Sequence, residues 1–289
     1  MIKSDIYQDV TDRIIKSLES GTAPWLKSWD TEGNTLELGM PFNRASKKAY
    51  RGINTLLLWI EKADQGFASD CWLTYKQAVD LGGNVRKGEK GTGIVFFKSV
   101  GEKQDSAGDK VKGFAFAKRY TVFNLDQCDG VDALAQPKPA APTGESVMMA
   151  IAETIGATVQ LGGDPCFIPS IDVIRMPQPS AFKTLHHFEA TLAHELTHWT
   201  GHKSRLARDM ASRFGDEAYA AEELVAEIGA AFMSARLGFD HDEMRHDGYI
   251  ASWLKVLRGD KKAVFTASSL AQKAVDLIDE LQEVEQAAA

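Results

Sequence analysis

Thr184-Leu-His-His-Phe-Glu-Ala-Thr-Leu-Ala-His-Glu-Leu-Thr-His-Trp-Thr-Gly201 decides how the C-terminal half folds. Leu185, Phe188, Leu192, Leu196 and Trp199 recur at helical spacing and form one apolar stripe. Ser180 and Thr184 are candidate N-caps, and Gly201 stands where a glycine would end the helix. His194 and His198 then lie one turn apart on the same side, opposite the stripe. Two neutral imidazoles so placed can share one Zn²⁺, with Glu195 beside them to take a proton from a water held by the metal. Burying the stripe is expected to leave the metal face on a cleft. His187, seven residues before His194, is too far along the helix to join the donors and is expected to face solvent or substrate.

A catalytic zinc needs a third protein donor. The extension His-x-x-Gly-x-x-His fails here because position 204 is Ser, and His202 follows a glycine expected to break the helix. The run Tyr219-Ala-Ala-Glu-Glu-Leu-Val-Ala-Glu-Ile-Gly-Ala-Ala-Phe-Met233 reads as a second helix with Leu224, Val225, Ile228, Ala231 and Phe232 on its apolar face. Glu223 and Glu227 sit together at the margin of that face, where a carboxylate requires a cation. We therefore expect Glu223 as the third ligand and Glu227 as the acceptor for the far N–H of a ligand histidine. Glu222 is expected to point away. His246 or Tyr249, on the following segment, are candidates to steady an oxyanion. Zn²⁺ is the expected ion; Mn²⁺ is another that this donor set can hold.

The chain has 289 residues, enough for two domains, and carries a net charge of −7. The acidity is uneven: residues 1–135 hold 19 Lys and Arg against 18 Asp and Glu, and the remainder 14 against 22. No apolar run is long enough to span a bilayer, and the first residues enter an amphipathic pattern (Ile6, Val10, Ile14, Leu18, capped by Ser4) rather than a signal core. With Cys71, Cys128 and Cys166 lacking metal-type spacing, a cytoplasmic protein is expected. Residues 128–146, rich in Pro, Ala and Gly, read as a linker between a domain at 1–127 and one at 147–289. The fold class is α+β. The N-terminal domain is expected to hold helices at 52–62 and 74–81 and a small antiparallel sheet from Gly93–Val100 and Gly113–Leu125. The C-terminal domain should be mainly helical, with helices near 145–156, 219–237, 249–257 and from 268 onward. It also has a strand at Ile171–Arg175, whose edge could pair with an extended substrate backbone.

Asn43–Asn54 contains Arg44, Lys47, Lys48 and Arg51 and no acid. Arg86, Lys87 and Lys90 follow in a glycine-rich turn, and Lys118 and Arg119 lie on the second strand. Tyr50, Trp72, Tyr75 and Tyr120 are interleaved with them. Cations along a groove with aromatic faces suit single-stranded nucleic acid. Residues 1–135 show no carboxylate cluster arranged for cleaving DNA.

Several motifs in fixed order extend this reading: Pro41-Phe-Asn43, Tyr50-Arg-Gly-Ile-Asn54, Trp72-Leu-Thr-Tyr-Lys-Gln-Ala78, Gly82-Gly-Asn-Val-Arg-Lys-Gly-Glu-Lys90, His194–His198, Glu222–Glu227 and Tyr249-Ile-Ala-Ser-Trp-Leu254. Together they resemble the ArdC family of plasmid-borne antirestriction proteins over nearly the whole chain. The resemblance implies an N-terminal domain that binds single-stranded DNA; it marks the region and not individual contacts, for which Asn54 and Lys76 join the candidates above. It implies a C-terminal zincin-like metallopeptidase domain, with a protein of the host restriction machinery as a candidate substrate. It also implies protection of incoming plasmid DNA from host restriction during conjugation.

Overall fold

The computed structural model describes residues 5–20, 23, 25, 29–31, 34–36, 39–100, 103–104, 110–111, 114–134, 144–210, 217–239 and 247–288. Eight helices are seen among them: α1 (Ile6–Glu19), α2 (Ile53–Gln65), α3 (Tyr75–Asp80), α4 (Val147–Thr154), α5 (Leu185–Thr200), α6 (Glu217–Leu237), α7 (Asp247–Gly259) and α8 (Ala263–Ala288). The architecture is the expected α+β mixture of helices with small sheets. Local chemistry explains the boundaries. The Asp5 carboxylate caps α1, accepting from the Tyr7 N–H at 3.0 Å; Ser4 lies outside the described residues. Thr74 and Gln77 form a reciprocal capping box on α3. Gly66, at φ +66°, closes α2 in the left-handed conformation.

In the N-terminal half, Thr92–Val100 pairs antiparallel with Phe114–Asn124 from Thr92↔Val122 to Val100↔Phe114. Cys71–Leu73 pairs antiparallel on the other edge of Phe114–Asn124, and Phe42–Asn43 adds a parallel edge. Cys128–Asp129 pairs with Asn84–Val85, so the start of the presumed linker is tied to this half. Residues 135–143 lie outside the described residues. In the C-terminal half, Val173–Met176 is flanked by the parallel Thr158–Leu161 and the antiparallel Cys166–Ile168. The strand there starts two residues later than the sequence suggests because Asp172 turns the chain at φ +54°.

One apolar core runs through both halves. Trp25 meets Trp253 edge-on at 5.8 Å, Trp59 lies 5.7 Å from Phe232, and Tyr7 packs on Phe265 at 4.8 Å. The Thr11 hydroxyl donates to the Lys261 carbonyl at 2.8 Å. At its centre is α6, buried on every side from Glu222 to Ser234. A helix with no polar face is what an internal position requires. Gly229 lets α6 come close to α5: a Cβ there would lie 2.6 Å from the Thr197 side chain. That approach brings the acids of α6 to the histidines of α5. Among the described residues, no helix is long and apolar enough to cross a membrane.

Candidate metal centre and nucleic-acid interface

Helix α5 starts where Thr184 accepts from the His187 N–H at 3.1 Å and stops at Gly201. Gly201 has an ordinary helical φ, and a Cβ there would lie 2.8 Å from the Arg208 guanidinium and the Met210 sulfur, so a larger residue would press on both side chains. His194 and His198 turn their Nε2 atoms to each other at 3.1 Å. The Glu223 carboxylate faces both, its oxygens 3.5 Å from each Nε2. These three donors lie within 4.8 Å of one another. Two nitrogens about 2.0–2.1 Å from one tetrahedral ion sit about 3.3 Å apart, so the residues fit a single divalent cation.

The far nitrogens are also held. His194 Nδ1 is 3.2 Å from Glu227. His198 Nδ1 is 3.1 Å from Glu222, a residue that the helical pattern alone turns away from the apolar face. Arg208 holds Glu222 through Nε at 3.0 Å and Nη2 at 2.7 Å, and also donates to the Thr197 carbonyl at 2.6 Å and the Thr200 hydroxyl at 2.9 Å. One arginine therefore closes the end of α5 and fixes the carboxylate that orients His198. The signal for Glu222 was that α6 is apolar all round, which leaves no solvent face for an acid. Glu195 lies in the same pocket, and burial raises its carboxyl pKa against the pull of the two histidines.

The metal face is less open than the amphipathic pattern suggests. His194, Glu195 and His198 are only 7%, 7% and 8% exposed. His187 packs against Phe182 at 5.0 Å and is half-buried. His202 turns to Ser204 at 2.7 Å and is not among the converging donors. His246 lies outside the described residues, as does the side chain of Tyr249.

The nucleic-acid candidates separate into three groups. Trp72 is fully buried under Leu58 and Val122, because its strand is interior to the sheet, so it offers no face for stacking. The Asn54 amide is committed to the Val95 backbone, with both bonds at 2.8 Å. Tyr50 is half-buried and bonded to Asn43. The arginines are tied to neighbours: Arg44 to the Asp132 carbonyl, Arg51 to Asp276 of α8, Arg86 to Glu89 and the Asp126 carbonyl, and Arg119 to Asp9 of α1. Lys47, Lys48, Lys76, Lys87, Lys90, Lys118 and Tyr75 remain exposed.

Comparison with known proteins agrees with this layout. A zincin-like metallopeptidase model matches residues 146–270, and the N-terminal domain of anti-restriction factor ArdC matches residues 4–123. The crystal structure of the antirestriction ArdC protein from plasmid R388 superposes with a TM-score of 0.82 at 42% identity, covering 97% of this chain and 98% of that one. The chain belongs to the ArdC family.

The R388 ArdC protein has also been crystallised with Mn(II), and that form matches at TM-score 0.80 and 41% identity over 96% of this chain and 98% of that one. An uncharacterised protein of Sinorhizobium fredii, y4eC, is 38% identical over 94% of this chain and 91% of its own length. Two Escherichia coli proteins named DNA primase TraC are 38% and 39% identical over 96% of this chain, which spans only 27% and 20% of their lengths. The chain thus matches only a part of those longer proteins.

The charges at this ArdC centre predict how its metal affinity varies with pH. Burial pulls the His198 imidazole down, but hydrogen bonds to Glu222 and Glu223 outweigh it and lift the pKa to about 9. His194 is raised in the same way by Glu223 and Glu227. Burial pushes the Glu223 carboxyl up, yet the two histidines hold it well below the usual carboxylate range. A histidine raised above its unfolded value near 6.5 stabilises the metal-free fold fully below that pH and loses this contribution as pH rises through about 9. A metal must displace the same protons. Over that window, affinity for added Zn²⁺ is expected to rise up to about tenfold per pH unit for each proton displaced, while the melting temperature of chelator-treated protein falls. Metal titrations showing flat affinity across the window would contradict this charge assignment.

Proposed function

We propose that the chain protects incoming plasmid DNA from host restriction by binding single-stranded DNA through its N-terminal half and cleaving a host protein with its C-terminal half. The observation that carries this is the convergence of His194, His198 and Glu223 on one point with Glu195 beside them. His194, His198 and Glu223 hold the ion, Zn²⁺ or Mn²⁺. The ion, when bound, acts as a Lewis acid toward water and the scissile carbonyl. Glu227 and Glu222 fix the two imidazole tautomers, and Arg208 keeps Glu222 in place. Glu195 accepts the proton of the attacking water on its carboxylate and passes it to the leaving amide nitrogen. A protein of the restriction machinery, in the cytoplasm that receives the DNA, is the proposed substrate.

The near-burial of the site favours a second reading, in which the metal is a structural clip and protection comes from DNA binding alone. The first test is metal content. Wild type should carry one divalent ion per chain, Glu223→Ala should lose it, and a chelator should stop cleavage of any substrate found by mapping new protein N-termini in host lysate. Cleavage that persists after the ion is removed would overturn the peptidase assignment.

A further inference from the structure

Of the four rings the sequence offers for stacking, Trp72 is buried and Tyr50 half-buried, while Tyr75 and Tyr120 are exposed. Tyr120 has a second open ring, Phe96, beside it. Along the Thr92–Val100 and Phe114–Asn124 pair, side chains alternate between faces, and directly paired residues share a face. The register sets Phe96 opposite Lys118 and Ile94 opposite Tyr120, which places all four together. The inner end of this face is covered, with Val122 and Ile94 packed against Leu58 and Trp72. Farther out the cover ends. Phe96 is 56% exposed and Tyr120 is 41% exposed.

These rings meet edge-to-face with centroids 6.0 Å apart, and the Lys118 ammonium lies 5.0 Å from the Tyr120 centroid. The opposite face carries Val95 into the main core and sets Phe97 against Tyr7 and Phe265. The hairpin is thereby fixed, and its outward rings have no role in closing that core. The described positions of the outward face, Thr92, Ile94, Phe96, Lys118, Tyr120 and Val122, include a cation and no acid. Lys87 and Lys90 are exposed in the turn that leads into the strand. A pair of rings beside an ammonium matches a nucleobase next to its phosphate.

We propose that this outward face, through Phe96, Tyr120 and Lys118, is the platform on which bases of single-stranded DNA stack. The inference rests on the DNA-binding reading above and gives it a location. The hairpin face that continues into the core shared with the C-terminal half is the other one, so this face is not used in that packing.

The test is an anisotropy titration of a fluorescein-labelled oligothymidine of about 20 nucleotides with the full chain. Phe96→Ala and Tyr120→Ala should each weaken binding about 5- to 150-fold, the range that losing one base–aromatic stack gives. Tyr120→Phe keeps the ring and should bind like wild type. Lys118→Ala should reduce the slope of log affinity against log salt by about 0.7. Photocrosslinking of a bromodeoxyuridine oligonucleotide to the wild-type chain should map to Phe96 or Tyr120, a readout that does not depend on how the variants fold. If wild type binds DNA but the alanine variants bind equally well and the crosslink falls elsewhere, the platform is misplaced while the DNA reading stands. If wild type binds no single-stranded DNA, both fail.

Discussion

Glu195→Gln should lower peptide cleavage about 10²- to 10⁴-fold, the usual contribution of a positioned general base, while metal content and DNA affinity stay at wild-type levels. That loss corresponds to about 3–5 kcal/mol of transition-state stabilisation. The separation is expected because Glu195 is not one of the three converging donors. Gln has the same shape and can still accept a hydrogen bond, so the pocket between α5 and the Cys166–Ile168 strand should survive. What it cannot do is take a proton. The experiment compares kcat/KM on a mapped cleavage site, metal per chain and oligonucleotide affinity. Cleavage at the wild-type rate would remove Glu195 from the mechanism. Lost cleavage with intact antirestriction in a conjugation assay would mean that the protein protects by binding alone, as the buried site also permits.

The candidate metal donors were legible because helix geometry is local. Thr184, the apolar stripe and the His194–His198 spacing all lie within one continuous segment, so periodicity alone places two donors on one face. Glu223 and Glu227 were legible because they sit at the margin of the most apolar stripe of α6. Glu222 was not, since assigning one buried face to α6 assumed a solvent side that a central helix lacks. Its partner Arg208 comes from the turn after α5, and no periodicity links that turn to a helix beginning at Glu217. Gly229 shows the same limit: its role is to admit Thr197 of another helix, which spacing along α6 does not reveal.

In the N-terminal half, the misreading of Trp72 had a visible remedy. Cys71-Trp-Leu73 is a continuous apolar run, the mark of a strand covered on both faces, and all three residues are buried. Phe96 is not legible as the partner of Tyr120, because Gly93–Val100 is mostly apolar and Phe96 and Phe97 are both exposed; only the register with Lys118 and Tyr120 shows which of the two shares their face. The linker-like composition of residues 128–146 also suggested two units joined by a tether, whereas the apolar residues on either side of it enter one core. Composition reports local solvation and chain entropy, but it carries no information on whether distant apolar faces meet.

Trp59→Ala tests whether that shared core acts as one cooperative unit. Removing this side chain is expected to cost about 3–5 kcal/mol, the usual range for a large aromatic in a close-packed interior. Trp59 is 1% exposed, and its indole N–H donates to the Gly39 carbonyl at 2.9 Å, which would be left without that donor. The ring abuts Phe232 on α6, the helix that supplies Glu222, Glu223 and Glu227. A cavity on the N-terminal side should therefore loosen the metal half as well. Denaturant unfolding followed by circular dichroism, by release of bound metal and by loss of oligonucleotide binding should give coincident transitions in wild type. In Trp59→Ala all three midpoints should fall together with an unchanged m-value. If metal release keeps its wild-type midpoint while DNA binding melts early, the halves are energetically independent despite their contacts, and the interface formed by Trp25–Trp253 and Trp59–Phe232 contributes packing without coupling.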